Sequence, residues 1–213
     1  MKELHELLSD EPFIDYFNRN VEKCTNHMKV LSPKIQRGKV LQKVQVPTKS
    51  VLGSLAYFTG GVIIDHGWVR RLGSGCKQLD RNLPDWNTDV SGMYFVGDDA
   101  AGGFFALNGG AFPGELSIVH YWSPDSIEWE SLDLKYSEFV IWPINADLDN
   151  FYGGIRWKNW REDTAHVSHD KCYNFYPPLW SAEGDCESSY RGVVPISEAR
   201  EFKVDIFSQI GGA

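Results

Sequence analysis

Apolar positions along the chain change period several times, and the changes divide it into elements. Leu4, Leu7 and Leu8 fall on one helical face, and Phe13, Ile14 and Phe17 fall on another. Ser9-Asp10 stops the first of these helices, and Pro12 suits the first turn of the next. The stretch from Met1 to about Cys24 is therefore predicted helical. VLQKVQV, Val40 to Val46, alternates in part and is read as a short strand. In TKSVLGSLAYFTGG, Val51, Leu52, Leu55, Ala56 and Phe58 make an amphipathic helix, capped by Ser50 and ended by Gly60-Gly61.

A period of two then takes over. Val62 to Ile64 is a β-branched run, Gly67 breaks it, and Trp68 to Leu72 resumes it as a second strand or as a bend in one. Met93–Val96, Gly103–Leu107, Ile118–Trp122 and Ile127–Leu132 follow as strands. Gly97-Asp98-Asp99 is read as the turn between the first two, and Asn108-Gly109 as a hairpin signal, because both residues tolerate positive φ. From Ser137 the pattern is helical again, with a capped turn stopped near Pro143. A helix running to Gly153-Gly154 and another from about Trp157 to Val167 come next. YNFYPPLW is extended, and its double proline keeps it out of a central strand. In the tail, Ala199, Phe202, Ile206 and Ile210 share a face, with Ser197 as N-cap.

The elements add up to an α+β fold. A mainly antiparallel sheet of about five or six strands, over residues 62–132, is flanked by N-terminal and C-terminal helices. One domain is expected, with residues 1–48 as a helical connecting segment and 50–213 as the core.

Composition changes the picture in two respects. Aromatic residues make up 14% of the 213 positions and include eight tryptophans, which serve recognition surfaces as well as cores. The net charge is -8, and the one basic run, Lys29 to Lys49, has no interleaved aromatics; both argue against nucleic acid as a partner. MKELHELLSDEPF carries no apolar signal core and no stretch approaches a membrane span, so a cytoplasmic location with no membrane partner is expected. Cys24, Cys76, Cys172 and Cys186 are scattered, without the spacing of a disulfide framework or a metal site.

The glycine-rich stretch GDDAAGGFFALNGGAFPG invites a phosphate-binding reading. It has neither G-x-G-x-x-G opening a helix nor G-x-x-x-x-G-K-[ST], and strand formers follow Gly103. Its glycines are better explained as turns around FFAL. Asp98-Asp99 could bind a divalent cation, but without a D-x-D-x-D-G loop a turn role is preferred.

Asp65-His66-Gly67-Trp68 is the leading catalytic candidate, with His66 as a general base beside a carboxylate. On a strand, however, adjacent side chains point to opposite faces, and no partnered nucleophile is apparent: Ser74 is not in a G-x-S-x-G elbow, and Cys76 has no local histidine. His166 and His169 lack the H-E-x-x-H spacing. Glu128, Glu130 and Asp133 could form a carboxylate pair, although a polar outer strand face is the preferred reading. No cofactor or metal is expected. YNFYPPLW is the more suggestive segment: aromatics on a proline-stiffened surface stretch often meet partners. AEGDCES after it reads as an exposed acidic loop.

The runs GGVIIDHGWVRRLGSG, VGDDAAGGFFALNGGAFPGELSIVHYWSPDSIEWESLDLKYSEFVIW, DLDNFYGGIRWKNW and FYPPLW resemble a bacterial family of unknown function, over roughly residues 50 to 200. The helix ending in Gly-Gly, the GDDAAGGFFALN strand pair and the acidic YSEF helix are similar to the SUKH superfamily of immunity and scaffold proteins. DHGWVRRLGSG and everything after Trp157 depart from that pattern. The second resemblance implies an α+β binding protein rather than a catalyst.

Two functions are carried forward. The first is a non-enzymatic protein-binding module of immunity or scaffold type, whose acidity suits a basic partner. The second is an enzyme or small-ligand binder with its site between Asp65-His66 and Asp98-Asp99, walled by Trp68 and Trp180. Trp68, Asp98, Asp99, Asn108, Tyr176, Trp180 and Glu183 are the candidate ligand- or partner-binding residues.

Overall fold

The computed structural model describes residues 1–209. Seven strands form one antiparallel sheet in chain order: β1 (Met28–Leu31), β2 (Gly61–Ile64), β3 (Val69–Leu72), β4 (Met93–Asp99), β5 (Phe104–Asn108), β6 (Ile118–Trp122) and β7 (Glu130–Lys135). A separate antiparallel ribbon pairs β8 (Lys171–Tyr176) with β9 (Tyr190–Pro195). The eight α-helices described are α1 (Leu4–Leu7), α2 (Phe13–Val21), α3 (Arg37–Val44), α4 (Val51–Phe58), α5 (Tyr136–Ile141), α6 (Leu148–Phe151), α7 (Trp160–Ala165) and α8 (Ile196–Gln209).

The α+β class and the antiparallel sheet follow the sequence pattern. The sheet is wider than expected, because Met28–Leu31 adds an edge strand from the segment read as a connector. VLQKVQV is helical instead of extended. Val40 and Leu41 turn one helical face to the core, where Leu41 is fully buried, and Gln45 in the left-handed region ends the helix. Gly97-Asp98-Asp99 is not a turn but the end of β4; the turn is Ala100–Gly102. The last sheet strand lies at Glu130–Lys135, later than Ile127–Leu132. The Ser50 cap is present: its hydroxyl accepts from Gly53 N at 3.1 Å.

Helix α8 begins one residue before Ser197, so Ser197 sits in its first turn. Its packed face is Ile196, Ala199, Val204 and Phe207, while Phe202 is exposed. The expected apolar face included Ile210, which lies outside the described residues.

Cross-strand register sorts the sheet into two faces. Val62, Arg71, Gly97, Phe105 and Tyr121 stand in one row, and Ile63, Arg70, Asp98, Phe104 and Trp122 in the next. Alternation sends the rows to opposite sides. The first row meets α5 through Phe139 and the chain after α6 through Tyr152. The second meets β8 and α8 through a cluster of Phe95, Phe104, Cys172 and Ile196. No described helix is long and apolar enough to cross a membrane.

Candidate functional site

Two of the carboxylates singled out in the sequence, Asp98 and Asp65, are spent in buried ion pairs. Asp98 is fully buried and accepts from Arg70 Nε at 2.7 Å and from Arg81 Nη1. Arg70 also donates to the carbonyls of Asp99 (2.6 Å) and Lys171 (3.1 Å), and Arg81 to Asp170 (3.0 Å) and the His169 carbonyl (2.7 Å). This lattice fastens the ribbon to the sheet. Burial works against the Arg81 charge, but Asp98 and Asp170 outweigh it and hold its pKa above the ordinary value.

Asp99 has a different task. Its Oδ1 accepts from the amides of Ala101 and Gly103, both at 2.9 Å, and its Oδ2 accepts from Tyr121 Oη at 2.6 Å. It clamps the turn that follows β4. Burial dominates these hydrogen bonds and raises its pKa.

Asp65 and His66 occupy a tight 3-10 turn with φ of 49° and 58°. Asp65 faces inward and pairs with Arg156, whose guanidinium lies 3.9 Å from the centre of the Trp160 ring and 4.9 Å from Trp68. His66 faces solvent and stacks on His27, ring centres 4.5 Å apart. Trp68 is fully enclosed. Asn108 is buried and organises the loop after β5, donating to the carbonyls of Phe112 (3.0 Å) and Glu115 (3.1 Å) and accepting from Gly110 N (2.8 Å). Asp65, His66, Trp68, Asp98, Asp99 and Asn108 line none of the four cavities described on this chain. Among the described residues, no three histidine, cysteine or carboxylate side chains converge to hold a metal.

Tyr176 and Trp180 are brought together. They line a cavity of about 390 Å³ between β8, the chain that follows it and α8. Tyr173, Asn174, Phe175, Pro178 and Leu179 contribute one side, Glu198, Ala199, Phe202 and Lys203 the other, with Ala101, Gly102, Pro124 and Val194 completing the lining. Tyr176 is 77% exposed, Trp180 47% and Phe202 57%, an unusual share of open aromatic surface around one groove. Register places Tyr190, also exposed, opposite Tyr176. Glu183 is exposed on the acidic loop beyond and does not line the cavity.

Lys203 was not singled out from the sequence. Its Nζ donates to the Ser123 carbonyl at 3.2 Å and lies 4.7 Å from the centre of the Trp122 ring. Burial pushes its pKa down to about 7. The residue sits four positions after Ala199 and four before Phe207, so the inward face of α8 carried a signal for it, but only once α8 was known to pack there.

The model of the family described as "Protein of unknown function DUF2625" matches residues 1–199 of the chain. The uncharacterized protein YbfG of Escherichia coli (strain K12) is 36% identical over 212 residues, 95% of this chain and 96% of that one. An uncharacterized protein of Haemophilus influenzae (strain ATCC 51907 / DSM 11121 / KW20 / Rd) is 36% identical over 168 residues, 75% and 74% of the two chains. The SUKH likeness rests on the sequence pattern alone. The match over nearly the whole length, together with the two relatives, places the chain in a bacterial-type family of uncharacterised function: it belongs to DUF2625.

Proposed function

We propose that this protein is a non-enzymatic binding module, of immunity or scaffold type, that grips an extended segment of a protein partner in the groove between β8 and α8. One observation carries the reading: Tyr176, Trp180 and Phe202 are exposed around a single cavity instead of being buried. Aromatic residues concentrated in such a place are the usual anchors of protein recognition. Glu198 in the groove, Glu201 on α8 and Glu183 on the neighbouring loop make the surroundings acidic, which suits a basic segment.

The test is capture of partners from extract of the native cell, followed by titration of the purified partner. Trp180→Ala should weaken binding by at least about tenfold, the loss expected of an aromatic anchor. Added salt should slow association. A partner that binds Trp180→Ala and Phe202→Ala as well as the parent chain overturns the reading.

A second reading, a small-ligand or enzymatic site, is favoured by Lys203. An amine with a pKa near neutrality that lines such a groove is suited to proton transfer or to attack on a carbonyl. This reading moves the chemistry from Asp65-His66 to the groove. Covalent labelling of Lys203 by a carbonyl compound under borohydride, blocked by a cell metabolite, would favour it over the first.

A further inference from the structure

Arg71 has the most anomalous surroundings in the molecule. Its side chain is 1% exposed, and none of Nε, Nη1 and Nη2 has a hydrogen-bond partner. It forms no ion pair among the described residues. Every other deeply buried guanidinium here is matched: Arg70 and Arg81 by Asp98, Arg156 by Asp65 and Asp149, Arg200 by Asp89. A buried charge without a counter-charge is among the costliest arrangements a fold can contain.

The groups around Arg71 deepen the anomaly. The guanidinium carbon lies 3.3 Å from the centre of the Phe139 ring and 5.8 Å from that of Phe105. Those contacts offer the guanidinium aromatic rings instead of hydrogen-bond acceptors and leave its N–H groups unanswered. Tyr136 and Tyr152 are buried close enough to Arg71 to feel its charge, and both hydroxyls lack a partner. The buried carboxylate on the same face, Asp99, is already committed to Ala101, Gly103 and Tyr121. These buried side chains therefore bring five N–H and two O–H donors without a matching acceptor.

We infer that Arg71, Tyr136 and Tyr152 form an enclosed binding site for a compact monovalent anion, a halide or a small carboxylate, between the sheet and α5. The anion supplies the missing counter-charge to the guanidinium and accepts from both phenols. Its size is bounded by the burial of Arg71 and Tyr152, and none of the four cavities described reaches Arg71. Burial lowers the Arg71 pKa to about 9 without such a ligand, and an anion beside it reverses that cost. The site lies across the sheet from the aromatic groove and is independent of the function proposed for it.

The test compares thermal unfolding of the full chain in sodium gluconate, chloride, bromide and formate at one ionic strength. A ligand bound only by the folded state raises Tm by about 5 °C when well above its dissociation constant. Chloride and bromide rising together, with formate inert, identifies a halide; formate alone identifies a carboxylate. Arg71→Met should remove the effect. Tyr136→Phe keeps the ring, needs no repacking and should reduce the effect even if Arg71→Met does not fold. Crystals grown in bromide should show an anomalous peak at the Arg71 guanidinium if halide binds. Equal Tm in all four salts overturns the inference, as does an anion effect that Tyr136→Phe and Tyr152→Phe both retain in full.

Discussion

Arg70 and Arg71 are neighbours in the chain and project to opposite faces of the same sheet, one into a lattice of carboxylates and the other against a phenylalanine ring. The pair shows what each layer is for. The Arg70 face joins the ribbon to the sheet by ionic bonds, and the Arg71 face is aromatic and closed.

Asp98 should be the least replaceable carboxylate. Removing it leaves Arg70 buried without a counter-charge and Arg81 with Asp170 alone, so Asp98→Ala is expected to cost about 3–5 kcal/mol in urea unfolding. Asp99→Asn should cost less than half as much. Its carboxyl has a raised pKa, and an amide can still accept from the Ala101 and Gly103 amides. Equal losses for the two would refute the division of labour described here.

Gly103 is required by its neighbours rather than by its backbone angle. A Cβ there would overlap Asp99 Oδ2 and stand 2.7 Å from Tyr121 Oη. Gly103→Ala should therefore lose about 2–3 kcal/mol by overpacking and by breaking that hydrogen bond. Gly154→Ala, where a Cβ meets nothing within 4 Å, is the control and should unfold with the parent chain.

Arg156→Lys should be far from conservative. The guanidinium joins Asp65 and Asp149 while lying over Trp160, and an ammonium cannot reproduce the fork or the stacking. A loss of about 2 kcal/mol is expected by denaturant titration. A variant with unchanged midpoint would show that the cage is ornamental.

Lys203 sets a pH signature. Its folded pKa of about 7 lies below the unfolded value of about 10.4. Between the two, the unfolded chain binds more protons, so this group's contribution to stability rises with pH and is lost as pH falls from about 10 to about 7. The stability of the parent chain relative to Lys203→Met should follow that slope. A difference that stays flat across this window would place the amine in solvent.

Much of this fold can be read from local pattern. The Ser50-capped helix and the strands at Val62–Ile64 and Ile118–Trp122 need only periodicity and capping, and the structure has them. VLQKVQV misled because its valines suit either period, and burial of Leu41 decided for the helix. Asp98 misled because adjacent carboxylates look like turn formers, while its partners Arg70 and Arg81 lie 28 and 17 residues away; Asp99 does bond the turn's amides, though from the end of a strand. YNFYPPLW pointed to the groove because proline stiffening is local information. Lys203 and Arg71 were invisible for the opposite reason, since each is defined by what packs on it from remote sequence. Even so, VRRL contained a clue: two arginines side by side in a strand, flanked by Val69 and Leu72, place one charge on each face of whatever sheet they enter.

The turn at Ala100–Gly102 touches both halves of the molecule. On one side Asp99 grips the amides of Ala101 and Gly103; on the other, Ala101 and Gly102 border the groove and Ala100 O receives Tyr173 N at 2.7 Å. A guest that settles against Ala101 and Gly102 leans on the same few peptide units that the carboxylate and Tyr121 hold from behind. If a bound guest shifts that turn, thermodynamic reciprocity applies: a change that tightens the grip alters the guest's affinity, and the guest alters the grip by the same free energy. The two faces of this sheet share three residues of backbone.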